Sequence, residues 1–235
     1  MDEQQSKYFR TVRSFVRRQG RLTVGQERAL EDHWPFYGIE AGEHPLDLDA
    51  IFGRSAPKHI EIGIGRGEAL LAMAEACPEI DFIGIEVHRP GVGHLLLNAA
   101  DKGLKNIRII THDAVEIFKK QIADGSLEGV YLFFPDPWHK KKHNKRRILN
   151  AEFAQMVADK LKPGGLFRMA TDWEDYAVQM LEVMNACPRY QNCAADNGYM
   201  PRFELRPLTK FEKRGQRLGH GTWDLCYARL DDQKS

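Results

Sequence analysis

The sequence predicts a doubly wound α/β fold: a mostly parallel sheet with helices on both faces and a short extension at the N terminus. Three observations predict it. Between residue 57 and about residue 186, short apolar runs alternate with stretches of helical periodicity, the pattern of repeated strand–helix units. The strand runs are apolar throughout rather than alternating, as parallel strands covered on both faces require. A glycine-rich turn joins the first strand to the first helix, where sheets of this kind bind ligands.

The elements follow in order. His59-Ile60-Glu61-Ile62 reads as a buried strand, and Glu68 to Ala76 as an apolar helix stopped by Pro78. Asp81 to Glu86 is the next strand, followed by a helix from about Arg89 to Lys102 that ends near Gly103. Ile107 to Thr111 is a third strand and Ala114 to Gln121 a third helix. Gly129 to Phe134 is a fourth strand. Leu149, Phe153, Met156, Val157 and Leu161 share one face of the next helix, which Pro163-Gly164-Gly165 ends. Leu166 to Thr171 is a fifth strand, Trp173 to Ala186 a helix with Trp173, Tyr176, Met180, Leu181 and Met184 on its core side, and Thr222 to Leu230 a late strand. Residues 1–45 show no such unit and read as an arm or helical extension, leaving 46–235 as a single domain.

Composition sets outer bounds. A chain of 235 residues, 43% hydrophobic and 29% charged, can build one sizeable core without staples. No apolar run approaches a membrane span and the first thirty residues hold no signal-like segment, so a cytoplasmic protein is expected. Cys77, Cys187, Cys193 and Cys226 form no zinc spacing and read as free thiols, with no metal site. Net charge is only +1, but basic residues cluster. One group runs from Lys7 to Arg21, a second covers Lys140 to Arg147, and a third includes Arg202, Arg206, Lys210, Lys213, Arg214 and Arg217. Each alone reads as a solvated surface; three together point to a polyanionic partner.

Glu61-Ile62-Gly63-Ile64-Gly65-Arg66-Gly67 carries the glycine turn. A dinucleotide fingerprint needs G-x-G-x-x-G, and Glu68 stands where its third glycine belongs. The glycines fall as G-x-G-x-G, with an acid two residues before the first. That acid suits a cationic, phosphate-free ligand and repels a pyrophosphate; S-adenosylmethionine, with a sulfonium and an ammonium, has that chemistry. Glu86, 19 residues after Gly67, is placed to take both ribose hydroxyls in a bidentate grip. Asp113 follows the third strand and can accept from the exocyclic amine of adenine. An acid after a strand also reads as a helix N-cap; three at consecutive strand ends favour a nucleoside cofactor.

The fourth strand runs into Phe133-Phe134-Pro135-Asp136-Pro137-Trp138-His139-Lys140. Two prolines stiffen this turn, Trp138 offers a stacking face, and the lysines that follow offer phosphate contacts. FFPDPWHKKKHNKRR resembles the signature of the bacterial tRNA (guanine-N7-)-methyltransferases, and EIGIGRG is similar to their cofactor loop. Thr171-Asp172-Trp173 and Thr209-Lys210-Phe211-Glu212-Lys213-Arg214-Gly215 resemble two further motifs of that family, and the similarity spans roughly residues 8 to 230.

The resemblance implies a class I methyltransferase: a Rossmann-like, seven-stranded sheet, transferring a methyl group from S-adenosylmethionine to N7 of a guanine in tRNA, by resemblance guanosine 46 of the variable loop. It implies cofactor binding by Glu61, Gly63, Gly65, Gly67, Glu86, Asp113 and Asp136, with Asp136 the active-site acid. It places substrate contacts at Lys140, Asp172, Thr209, Lys210, Phe211 and Glu212, and an RNA-interacting segment at Lys142, His143, Asn144, Lys145, Arg146 and Arg147. The partner implied is tRNA, without membrane or metal, and a monomer is slightly favoured over an oligomer. Guanine N7 carries a lone pair and no proton, so His139, His143 and His220 have no proton to take and read as solvated or RNA-facing. The alternatives are another methyltransferase acting on an RNA base and a non-catalytic RNA-binding protein. An amino-group methyltransferase would end the fourth strand in Asp/Asn-Pro-Pro-aromatic, one proline more than Asp136-Pro137-Trp138 supplies.

Overall fold

A computed structural model describes residues 20–208 and 221–231. The chain begins with helix α1 (Val24–Tyr37) and a two-residue strand β1 (Gly38–Ile39), then a short helix α2 (Leu48–Phe52). The repeating units follow as β2 (Lys58–Ile62), α3 (Glu68–Ala76), β3 (Asp81–Ile85), α4 (Arg89–Asp101), β4 (Ile107–Ile110), α5 (Ala114–Lys120) and β5 (Leu127–Phe133). A 3-10 helix (Lys141–Arg146) precedes α6 (Ala151–Lys160), β6 (Leu161–Thr171), α7 (Glu174–Asn185), β7 (Tyr190–Asn192) and β8 (Trp223–Arg229).

These strands form one sheet in the order β1-β4-β3-β2-β5-β6-β8-β7. All pairs are parallel from β1 to β6, and β8 and β7 close the far side antiparallel. Chain order reverses between β2 and β5, so the crevice at their carboxyl ends is the topological switch point where such folds bind ligands.

Among the described residues the sheet has eight strands where seven are expected. The additional one, Gly38–Ile39, comes from the N-terminal extension and pairs with β4. The described part of that extension, from residue 20 onward, is docked. Thr23 and Gln26 cap α1 reciprocally, and the Gln26 side chain donates to the Pro90 carbonyl at 3.0 Å. Arg108 of β4 is held between the rings of Phe36 and Phe52, at 4.6 and 4.9 Å. The strand expected over 166–171 begins earlier, at Leu161. Its pairing with β5 jumps from Leu127↔Leu161 to Gly129↔Leu166, so Pro163-Gly164-Gly165 bulges out of the strand instead of preceding it.

Two cores explain why the strands are apolar on both sides. Ile60, Ile62, Ile83 and Ile85 point to the face covered by α5, α6 and α7. Phe82, Ile107, Ile109 and Tyr131 point to the face covered by α1, α3 and α4. No helix among the described residues is long and apolar enough to cross a membrane, and all four cysteines are free thiols.

Candidate active site

All three glycines of the turn after β2 have left-handed backbones, with φ of 73° at Gly63, 55° at Gly65 and 77° at Gly67, so each position favours glycine. Gly67 caps α3 and packs on Leu95, where a side chain would collide. The N terminus of α4 comes closer still: a Cβ on Gly91 would lie 1.9 Å from the Gly65 carbonyl oxygen. Gly91 therefore seats the glycine turn against α4, a contact invisible in the sequence.

A cavity of about 330 Å³ opens at the carboxyl ends of β2, β3, β4 and β5, and Gly63, Glu86, Asp113 and Asp136 line it. Gly65, Gly67 and Glu61 are not among its lining residues. Glu86 is almost buried and accepts three backbone amides: Gly65 on Oε2 at 2.8 Å, and Val87 and His88 on Oε1 at 2.7 and 2.8 Å. A carboxylate has about four lone-pair sites. Oε1 already accepts two amides and Oε2 one, so the ribose grip expected from the sequence would fall mainly on Oε2.

Glu61 is 3% exposed. Its Oε2 has no hydrogen-bond partner, and burial, reinforced by the neighbouring Glu86, pushes its pKa up to about 8. An orphaned buried carboxylate of this kind fits a cationic group. This set of carboxylate acceptors suits S-adenosylmethionine, which donates from an ammonium, ribose hydroxyls and an adenine amine. Asp113 also caps α5, accepting from Val115 N at 3.0 Å through Oδ1. Capping and ligand binding are compatible here, because a carboxylate has further acceptor sites.

Asp136 stands exposed on the cavity rim. The turn that presents it is bounded by Phe134, φ 51°, and Trp138, φ 49°. Positive φ at bulky residues is a strained state, characteristic of functional turns held by their surroundings. Phe134 is tied to β6 through its amide, which donates to the Ala170 carbonyl at 2.8 Å. On its other side the Arg206 guanidinium lies 4.9 Å from the Phe134 ring and pairs with Asp224 at 2.8 Å. Arg206 is fully buried, so the expectation that it belongs to a basic surface cluster is corrected.

The 3-10 helix continues from this turn. Lys140, Lys141, Lys142 and Lys145 are exposed. Arg146 covers the Trp138 ring at 3.8 Å and His143 meets it edge-on at 6.1 Å. The Asn144 amide, oriented to donate, reaches the carbonyls of Trp138 and Lys140 at 3.0 and 3.2 Å. Arg147, expected to contact RNA, is 3% exposed and points inward: Asp175 and Gln179 of α7 and the Pro137 carbonyl accept its three N–H directions. Its burial removes it from the RNA-facing set. Asp172 lies half-buried at the end of β6, and the ring of the adjacent Trp173 is 4.2 Å from that of His139. Thr209, Lys210, Phe211, Glu212 and His220 lie outside the described residues, as do Lys7 to Arg18, Lys213, Arg214 and Arg217.

A parallel sheet with an antiparallel end, a ligand cavity at its switch point and acids after successive strands defines a class I S-adenosylmethionine-dependent methyltransferase fold. Solved structures agree. A 16S rRNA methyltransferase superposes with a TM-score of 0.56 at 14% identity, covering 78% of this chain and 94% of that one. The 16S rRNA (adenine(1408)-N(1))-methyltransferase of Catenulisporales acidiphilia, solved with cosubstrate SAM, gives 0.55 at 17% identity, covering 83% and 97%. A family model described as "Putative methyltransferase" matches residues 55–225. The tRNA (guanine-N(7)-)-methyltransferase of Salmonella typhimurium is 57% identical over 97% of this chain and 95% of its own. That of Pseudomonas putida is 58% identical over 94% and 92%. The chain belongs to the bacterial tRNA (guanine-N7-)-methyltransferase family, a family of enzymes.

Proposed function

We propose that this enzyme transfers a methyl group from S-adenosylmethionine to N7 of a guanine in tRNA, at guanosine 46 of the variable loop. The observation that carries the reading is the placement of Asp136: it stands on the rim of the cavity that Glu86 and Asp113 line, on a turn continuous with the exposed Lys140–Lys145 surface. High identity to relatives named for this reaction supports the choice of substrate atom.

S-adenosylmethionine supplies an electrophilic methyl group when bound. Glu61 would hold its ammonium, Oε2 of Glu86 a ribose hydroxyl and Asp113 the adenine amine. N7 would take the methyl carbon through its lone pair as the carbon–sulfur bond breaks and S-adenosylhomocysteine leaves, so the protein needs no general base, and positioning supplies much of the rate. The base gains positive charge as the bond forms, and Asp136 stabilises it at the rim. Exposed lysines of the 3-10 helix take backbone phosphates. A guanine held in tertiary pairing has to be opened toward the cavity.

Transfer of tritiated methyl to bulk tRNA, followed by nucleoside analysis, tests the reading. Label in 7-methylguanosine is expected; label in N1- or N2-methylguanosine overturns it.

A further inference from the structure

We propose that Arg147 is a positioning residue for methyl transfer, fixing the Asp136–Trp138 turn onto α7, and not a contact to RNA. The inference rests on the reading of Asp136 as the acid at the reacting centre. The Arg147 side chain is 2% exposed. Its Nε donates to the Pro137 carbonyl at 2.8 Å, its Nη1 to Gln179 Oε1 at 2.5 Å and its Nη2 to Asp175 Oδ2 at 2.6 Å. The guanidinium also lies 4.7 Å from the Tyr176 ring, whose hydroxyl accepts from the Leu149 amide at 3.2 Å.

The logic is mechanical. Pro135 and Pro137 have no amide hydrogens, so the turn has fewer backbone donors with which to fasten itself. It is nevertheless held in two left-handed conformations, at Phe134 and Trp138, and such states persist only where neighbours over-determine them. Arg147 adds to that constraint through the carbonyl of Pro137, the residue that follows Asp136. Its anchor is rigid, because Asp175 and Gln179 lie one helical turn apart on α7 and flank Tyr176, while Met180 and Met184 sink that helix into the core. Only a planar fork reaches three acceptors in fixed directions, so lysine at this position is not a conservative change.

The test compares single-turnover methyl transfer, at saturating tRNA and S-adenosylmethionine, with tRNA affinity measured across a salt series. For Arg147→Lys the transfer rate should fall by about 10- to 100-fold, with tRNA affinity and salt slope close to the parent's. Asp175→Ala, which removes the exposed partner, keeps the buried arginine and should also slow transfer, and Asp175→Glu should restore it. These two variants decide the matter if Arg147→Lys fails to fold. Parent-like turnover in Arg147→Lys with a salt slope lower by about one would overturn the proposal. So would Asp175→Ala binding tRNA more tightly at unchanged turnover, because the guanidinium would then serve a phosphate. Asp136→Ala run alongside separates the two readings. Parent-like turnover there sinks the role of Asp136, and Arg147's with it. Impaired Asp136→Ala with parent-like Arg147→Lys and Asp175→Ala sinks only the positioning role.

Discussion

The Gly65 amide donates to Glu86 Oε2 across 2.8 Å, so the glycine turn after β2 and the acid after β3 form one hydrogen-bonded unit. Replacing Glu86 by alanine therefore acts twice. It removes an open acceptor for the ribose, weakening S-adenosylmethionine binding by about 1.5–3 kcal/mol. It also strips the acceptor from the amides of Gly65, Val87 and His88, lowering the melting temperature of the ligand-free protein. Calorimetry and a thermal melt measure the two effects. An unchanged dissociation constant in a folded variant removes Glu86 from the site.

Glu61 gives the cofactor site a pH dependence. Its folded pKa, about 8, stands above its ordinary 4.5. Between those values the folded state binds the extra proton, so this group's contribution to stability is full below about 4.5 and is lost as pH rises through 8. A bound ammonium reverses the preference by favouring the carboxylate. S-adenosylmethionine binding near pH 6.5 should therefore release close to one proton, and affinity should rise by up to about tenfold per pH unit between 6 and 7. Calorimetry in two buffers of different ionisation enthalpy counts the proton. Glu61→Gln should flatten the profile; a parent-like slope in that variant would assign the proton elsewhere.

Much of this was legible in the sequence for a physical reason. Parallel strands buried on both faces produce continuous apolar runs such as Val130 to Phe134, and the topology then assigns strand ends to ligands, which brings Glu86, Asp113 and Asp136 forward. Gly38–Ile39 and Tyr190–Asn192 were not legible, because two or three residues carry no period. Arg147 and Arg206 were misread as surface charge. Nothing local distinguishes a buried arginine from its exposed neighbours: the partners that turn them inward, Asp175 and Gln179 for one and Asp224 for the other, come from distant parts of the chain. Gly91 falls inside the helix expected from about Arg89, and its close approach to Gly65 depends on tertiary packing alone.

The RNA-facing prediction narrows accordingly. Lys141, Lys142 and Lys145 are the exposed cations of the 3-10 helix. Replacing all three by alanine should weaken tRNA binding and lower the slope of log affinity against log salt by about one unit per lost phosphate contact. Cofactor affinity should not change, since none of the three lines the cavity. A triple variant with the parent's affinity and slope would make this surface a solvated face.

The identity of the reacting atom is open to the sharpest test. If N7 is the acceptor, its lone pair is indispensable, while the rest of the base serves recognition. A tRNA carrying 7-deazaguanosine at position 46 replaces that nitrogen by C–H and keeps the Watson–Crick edge. It should compete with normal tRNA for the enzyme, somewhat weakened by loss of tertiary pairing at N7, and accept no methyl group at that nucleotide. Asp136→Ala should give the complementary outcome. Asp136 is exposed on the rim and no described hydrogen bond ties its side chain to the fold, so its removal should leave folding and both ligands largely in place. Turnover should fall by on the order of 100-fold or more, because charge developing on the base loses its stabilising carboxylate. Labelled methyl on the deaza nucleotide would overturn the N7 assignment. Full turnover in Asp136→Ala would leave that assignment standing and move the electrostatic role to another residue of the rim.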